Sequence, residues 1–226
     1  MQAQAISVSK AIRPTTPPAC AGRDSLRGSF EMMGTPMPFA RNIEIYGEHE
    51  PAEYMYKVVS GVVRTSKMLS DGRRQIGRFY LPGDIFGLEC GEEHAFSAEA
   101  ITECKILVVK RSSLVSLAGR DGNIARQLWN LTAQELQHVQ DHLVLLIKTA
   151  RERVSGFLLE MASRGEDSRQ EIVLPMSRQD IADYLGLTIE TVSRTLTQLE
   201  KQAAIAVPTS RHIVLRNRAA LARLNG

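Results

Sequence analysis

The chain has 226 residues, 43% of them hydrophobic and 23% charged, with a net charge of +3; this is a globular balance, long enough for two domains, and it excludes a small disulfide scaffold. Three cysteines, Cys20, Cys90 and Cys104, lie far apart without a CxxC pair, so neither a disulfide framework nor a thiolate metal cluster is expected and a reducing cytoplasm fits. No apolar run approaches the roughly 18 residues of a membrane helix, and the first twenty residues interleave Lys10, Arg13, Pro14, Pro17 and Pro18 with small residues where an export signal would have an apolar core.

Residues 1–30 hold threonine, proline, alanine and glycine without periodicity and read as a flexible tail. From Asn42 to Val109 the chain alternates in short runs, Tyr54–Ser60, Gly61–Thr65, Arg74–Tyr80 and Lys105–Val109, broken by Asp71-Gly72 and Pro82-Gly83-Asp84. Many short strands with an Asp-Gly hairpin signal predict an antiparallel barrel or sandwich over residues 31–120.

Between Asn123 and Lys148 there is neither proline nor glycine, and apolar residues recur at Leu128, Leu131, Leu136, Val139, Leu143, Leu146 and Ile147, mostly at spacings of three and four. One long helix is expected across residues 121–148, its stripe forming the seam of a homodimer. The plainer alternative is a helix buried against its own chain. His138 and His142 stand at i, i+4, but without a third ligand they read as polar neighbours of that seam, and no metal is expected. Cys90 and Cys104 read as small groups filling the barrel.

From Thr149 to Gly226 helices are expected near 149–163 and 178–200, followed by a hairpin of Ile205–Val207 and His212–Leu215. Ser177-Arg178-Gln179-Asp180 is a relative of the capping box and should open a helix. That helix runs through Ile181, Ala182, Tyr184 and Leu185 to Gly186, a residue suited to a left-handed helix end. Thr188 can cap a second helix, with Ile189, Val192, Leu196 and Leu199 facing inward, and the two form a helix-turn-helix.

On the second helix Glu190, Ser193 and Arg194 share one outward face near the start, where arginine can donate twice to guanine and glutamate can accept from cytosine. A solvated Glu190–Arg194 pair is the alternative. Charge favours DNA: beyond Thr191 the chain holds Arg194, Lys201, Arg211, Arg216, Arg218 and Arg223 against the single acid Glu200. Ser177, Arg178, Thr188, Thr191, Lys201 and Arg211 are the candidates for phosphate contacts.

The run from Arg178 to Leu196 resembles the helix-turn-helix of the CRP/FNR superfamily, and Glu190-x-x-Ser193-Arg194 resembles its FNR/FixK branch. The resemblance implies an α+β fold: an N-terminal antiparallel β jelly-roll of the cyclic-nucleotide-binding type, a long dimerisation helix, and a C-terminal winged helix-turn-helix over 149–226. It further implies a homodimeric transcription regulator, an activator working with RNA polymerase. The expected site is a TTGAT-N4-ATCAA-like palindrome in double-stranded DNA, with Arg194 on guanine, Glu190 beside it and Ser193 near thymine. The implied setting is low-oxygen respiration and nitrogen fixation.

Nucleotide-binding relatives grip ribose and phosphate with an acid and an arginine. Here an acid is kept at Asp84, while Phe96 stands at the arginine's place, so a nucleotide phosphate would lack its cation. Iron–sulfur relatives use several N-terminal cysteines, where this tail supplies only Cys20. No cofactor is therefore expected. No catalytic constellation stands out, so an enzyme is not expected either, and the competing reading is a regulator whose barrel binds an unidentified small effector.

Overall fold

The computed structural model describes residues 26–165 and 171–225. Cys20 and most of the expected tail lie outside them. Residues 26–30, expected as part of that tail, are helical instead: Leu26–Met33 form a helix (α1), with Leu26, Ser29 and Phe30 on one buried face. Leu26 N donates to Gln127 Oε1 at 2.8 Å.

The expected run of short strands folds as a jelly-roll of two four-stranded sheets. In chain order the strands are β1 (Thr35–Phe39), β2 (Glu44–Tyr46), β3 (Tyr54–Ser60), β4 (Val63–Met68), β5 (Arg74–Tyr80), β6 (Ile85–Phe86), β7 (Ser97–Ala100) and β8 (Cys104–Lys110). One sheet runs β1-β8-β3-β6 and the other β2-β7-β4-β5, every pairing antiparallel. Alternation puts Tyr46, Tyr56, Val58, Tyr80, Phe86 and Ile106 between the sheets. Gly72 turns the β4–β5 hairpin at φ +82°. Gly61, at φ +84°, has no room for a Cβ, which would lie 2.3 Å from the Glu103 carbonyl. Cys104 is buried in this core, its thiol donating to the Val62 carbonyl at 3.3 Å. Cys90 is exposed instead of filling the barrel, because it sits in the loop after β6, where the pleat no longer directs it inward.

After α2 (Arg111–Ala118), the long helix α3 spans Gly122–Leu146, close to the expected limits, and Asp121 caps it by accepting from Asn123 N. Thr149 and Glu152 close a capping box at the start of α4 (Ala150–Arg164). The C-terminal unit continues with β9 (Glu171–Val173), α5 (Arg178–Leu185), α6 (Ile189–Lys201), β10 (Ile205–Thr209), β11 (His212–Leu215) and α7 (Arg218–Asn225). The sequence reading missed β9 and α7. The three strands pair in the order β10-β11-β9, forming the wing.

Phe157, Leu158, Ile181, Leu185, Leu196, Leu199, Ile213 and Leu221 build the core of this unit, and the same cluster takes in Val62, Ile76, Phe79 and Ile101 from the barrel's outer surface. Barrel and winged helix therefore share one apolar layer.

Candidate DNA-binding interface

The helix-turn-helix follows from local chemistry. Ser177 Oγ accepts from Asp180 N at 3.0 Å, and Asp180 Oδ2 accepts from Ser177 N at 2.9 Å, which satisfies two free amides of α5 reciprocally. Gly186 ends α5 at φ 61°, ψ 40°, a left-handed cap whose amide donates to the Ala182 carbonyl. Thr188 then caps α6 by accepting from Thr191 N at 3.2 Å. Ala182 and Val192 are fully buried where the helices meet. Ile189, expected inside, is 36% exposed, since it opens α6 before the helix has turned its apolar stripe onto the core.

The turn leaves the first half of α6 standing out from the domain. Glu190, Ser193 and Arg194 are all exposed along one face, with Thr197 continuing it. The Glu190 carboxyl is held below the usual carboxylate range, first by a hydrogen bond from its own backbone amide and then by the Thr188 hydroxyl, so it stays an acceptor at neutral pH. Around this face lie Thr188 and the half-buried Thr191 at the head of α6, and Ser177 with half-buried Arg178 at the head of α5. Burial lowers the pKa of Arg178. Lys201 ends α6, and Arg211 lies in the β10–β11 turn, where Thr209 Oγ1 accepts from the His212 and Arg211 amides at 3.1 and 3.4 Å. Lys201, Arg211, Arg216, Arg218 and Arg223 are all exposed. The expected reading residues thus share one exposed side of α6, with hydroxyls at the helix heads, and the exposed cations of the C-terminal unit are of the kind that bind phosphate.

Residues 152–224 match the family described as a Crp-like helix-turn-helix domain, and residues 36–121 match the cyclic nucleotide-binding domain. The chain is 57% identical to the nitrogen fixation regulation protein FixK of Azorhizobium caulinodans, over 85% of this chain and 80% of the relative. It is 36% identical to the transcriptional activatory protein AadR of Rhodopseudomonas palustris, over 79% and 76% of the two chains. Among solved structures, FixK2 from Bradyrhizobium japonicum superposes with a TM-score of 0.83 at 55% identity, covering 86% of this chain and 98% of that one. The chain belongs to the CRP/FNR superfamily, in its FixK-like branch. It is accordingly a transcription regulator of that family.

In this FixK-like chain the residues compared above with the nucleotide-gripping pair are engaged within the protein. Asp84 accepts from Leu81 N at 2.8 Å and from the Arg164 guanidinium of α4, so it joins the barrel to the C-terminal unit instead of lining an open pocket. Phe96 lies over Gly77, where an added Cβ would come within 3.2 Å of its ring. Inside the barrel His94 stacks on Tyr46 with ring centroids 3.6 Å apart, and Tyr56 stacks on Phe86 at 5.0 Å.

The long helix carries two apolar stripes. Ile124, Leu128 and Leu131 pack on the barrel and on α1 and α2, while Glu135, His138 and His142 continue the same face toward the C-terminal unit. Roughly a third of a turn away, at 3.6 residues per turn, Trp129, Leu136, Val139, Leu143 and Ile147 point outward. Two of the expected seam residues, Leu128 and Leu131, therefore belong to the chain's own core, and Leu146 is half-buried. Trp129 lies on the outward stripe although sequence spacing did not single it out, and Ile147, part of the expected apolar recurrence, lies there too. Periodicity detects that a helix is amphipathic but does not say which of two adjoining stripes faces home.

His138 and His142, expected beside the seam, instead face the C-terminal unit. His142 stacks on Tyr184 with centroids 4.2 Å apart, and Tyr184 Oη donates to Glu160 Oε2 at 3.3 Å. Together with Lys148 and Glu160 they line a cleft of about 510 Å³ between α3 and α4. Burial, aided by the Arg78 and Arg164 cations, pushes His138 down to about 4. Burial also lowers His142 and raises Glu160 and Glu135. Glu135 accepts from the Arg78 guanidinium and from Tyr80 Oη, which ties α3 to β5. Among the described residues no group of three or more histidine, cysteine or acidic side chains is arranged to hold a metal ion.

Proposed function

We propose that the protein is a homodimeric, sequence-specific DNA-binding regulator in nitrogen-fixation and low-oxygen control, an activator that works with RNA polymerase. The observation that carries the reading is the exposed Glu190–Ser193–Arg194 face at the head of α6, in a C-terminal unit whose Lys201, Arg211, Arg216, Arg218 and Arg223 are also exposed. A TTGAT-N4-ATCAA-like palindrome matches it, with Arg194 donating to guanine, Glu190 accepting beside it and Ser193 near thymine. Ser177, Arg178, Thr188, Thr191, Lys201 and Arg211 supply the phosphate contacts. The names of the FixK and AadR relatives support the regulatory setting and the activating role.

The dimer forms along α3, through Trp129, Leu136, Val139, Leu143 and Ile147. Neither cyclic AMP nor an iron–sulfur cluster is required. In support, Asp84 is already bound to Arg164, Phe96 offers no cation to a phosphate, and the barrel interior is packed with aromatic rings. The described residues around Asp84 and Phe96 do not fit a nucleotide phosphate, and the chain's three cysteines are fewer than the four thiolates an iron–sulfur cluster takes.

The deciding experiment is a salt titration on matched and mismatched palindromes. A bidentate arginine–guanine contact is worth about 1–3 kcal/mol of discrimination per half-site, so Arg194→Ala flattens the preference for TTGAT. Arg211→Ala weakens all sequences alike and lowers the salt slope by about one for its lost phosphate contact. If Arg194→Ala keeps full sequence preference while losing affinity evenly, its face is a solvated ion pair and the assignment is wrong.

A further inference from the structure

The helix that opens the helix-turn-helix is fastened to the barrel as well as to its own domain. Arg64 on β4 donates from Nη1 to Asp180 Oδ1 at 2.6 Å and from Nη2 to Glu99 Oε2 at 2.8 Å. Arg74 on β5 donates from Nη2 to the same Asp180 oxygen at 2.7 Å and from Nε to Asp183 Oδ2 at 2.8 Å. Gln75 Nε2 adds a bond to the Tyr184 carbonyl at 3.3 Å. Asp180 uses its other oxygen to cap α5, so a single carboxylate both starts the helix and ties it to two strands.

These charges are desolvated, with the Arg64 side chain 11% exposed and the Asp180 side chain 7%. Beneath them Phe79 meets Tyr184 with ring centroids 5.3 Å apart. The covalent link from α3 to α4 is short, Ile147 to Thr149, and begins with an exposed isoleucine. The angle of α5, and of α6 behind it, is therefore held from the barrel side more than through the chain.

We infer that Arg64 and Arg74 are positioning residues for operator reading, fixing the separation and angle of the two α6 helices in the dimer and so selecting half-site spacing. The inference rests on the dimeric DNA-binding reading above. Its physical basis is the duplex geometry: adding one base pair between half-sites moves one of them by about 3.4 Å along the axis and turns it by roughly 34–36°. A rigidly held α6 cannot follow that shift, whereas one tethered only through residues 147–149 can.

The test uses the full-length protein and palindromes of identical half-sites with spacers of three, four, five and six base pairs. Arg74 is the better site to vary, because Arg64 is the more deeply buried and also pairs with Glu99. Arg74→Ala is expected to reduce the preference for the best spacer at least about tenfold, while preference for the half-site bases stays at the wild-type level. Arg74→Asp should lose spacer preference as well, and Arg74→Asp combined with Asp183→Arg should regain it, since the pair is rebuilt with its ends exchanged. Unchanged spacer preference in Arg74→Ala and Arg74→Asp overturns the inference, and so does tighter binding of the best palindrome, which would make the contact a restraint. If Arg74→Asp fails to fold and the exchanged pair folds without spacer preference, the contact is structural only and the inference is again lost. Absence of half-site preference in the wild type is a different result: it removes the DNA-reading assignment itself and takes this inference with it.

Discussion

Replacing Leu143 with alanine should weaken the dimer without weakening the fold of each chain. Leu143 is 60% exposed on α3, in line with Leu136 at 58% and Val139 at 48%. Full burial of a leucine side chain is worth about 1.5–3 kcal/mol, so the exposed part of Leu143 leaves about 1–2 kcal/mol to be gained in each copy and about 2–4 kcal/mol per dimer. The dissociation constant should then rise roughly 30-fold to several hundred-fold, readable by sedimentation equilibrium over a concentration series. Leu143→Asp should go further, because it buries an unpaired charge twice across a two-fold seam. Leu131→Ala is the control. That side chain packs with Ile124 and Leu114 in the chain's own core, so its loss should lower the melting temperature and leave the dissociation constant, measured on folded protein, near the wild-type value. If Leu131→Ala separates the chains while Leu143→Ala leaves the dimer intact, the seam lies on the other stripe and the reasoning from exposure fails.

Three further outcomes are expected. Colourless, air-exposed, nucleotide-free protein should bind the palindrome in a gel shift; dependence on added cyclic AMP or on reconstituted iron and sulfide would refute the cofactor-free reading. Gly186→Ala should cost about 1–2 kcal/mol, because the left-handed cap at φ 61° is unfavourable for a residue with a Cβ, although that Cβ would meet only ordinary contacts, 3.5 Å from Arg153 Nη1 and 3.6 Å from Leu146 Cδ2; an unchanged thermal midpoint would show that the turn relaxes. His138, near 4 in the fold against an ordinary value of 6.5, binds fewer protons folded than unfolded between those limits. Its contribution is therefore present above pH 6.5 and lost as pH falls toward 4, up to about 3 kcal/mol, while the raised carboxyls of Glu135 and Glu160 act with the opposite sign. Comparing acid unfolding of wild type and His138→Gln isolates the histidine, and equal midpoints across this window would remove it as a cause.

Much of the fold was legible because its signals are local. The Ser177–Asp180 box, the Gly186 turn and the Thr188 cap each need only three or four neighbouring residues, and all three occur where the sequence places them. The outward triad Glu190, Ser193 and Arg194 follows from helical spacing alone once α6 is accepted. The long helix was equally plain from the unbroken run between Gly122 and Lys148. β9 was not legible: Glu-Ile-Val is too short to show alternation, and it becomes a strand only because β11 offers a free edge. Nor was α7, whose Leu221 finds its burial against the rest of the domain.

What the sequence by itself determined, then, is most of the elements and the exposed polar face of α6, because caps, turns and periodicity act within one or two helical turns. Only the tertiary structure decided which stripe of α3 is left exposed, that Asp84 is bound to Arg164, and that Asp180 serves the barrel arginines as well as its own helix. Those pairings join residues 80 to 116 positions apart. A carboxylate that caps a helix looks the same in sequence whether its second oxygen meets water or a guanidinium, and only the packing of one unit on the other makes that choice.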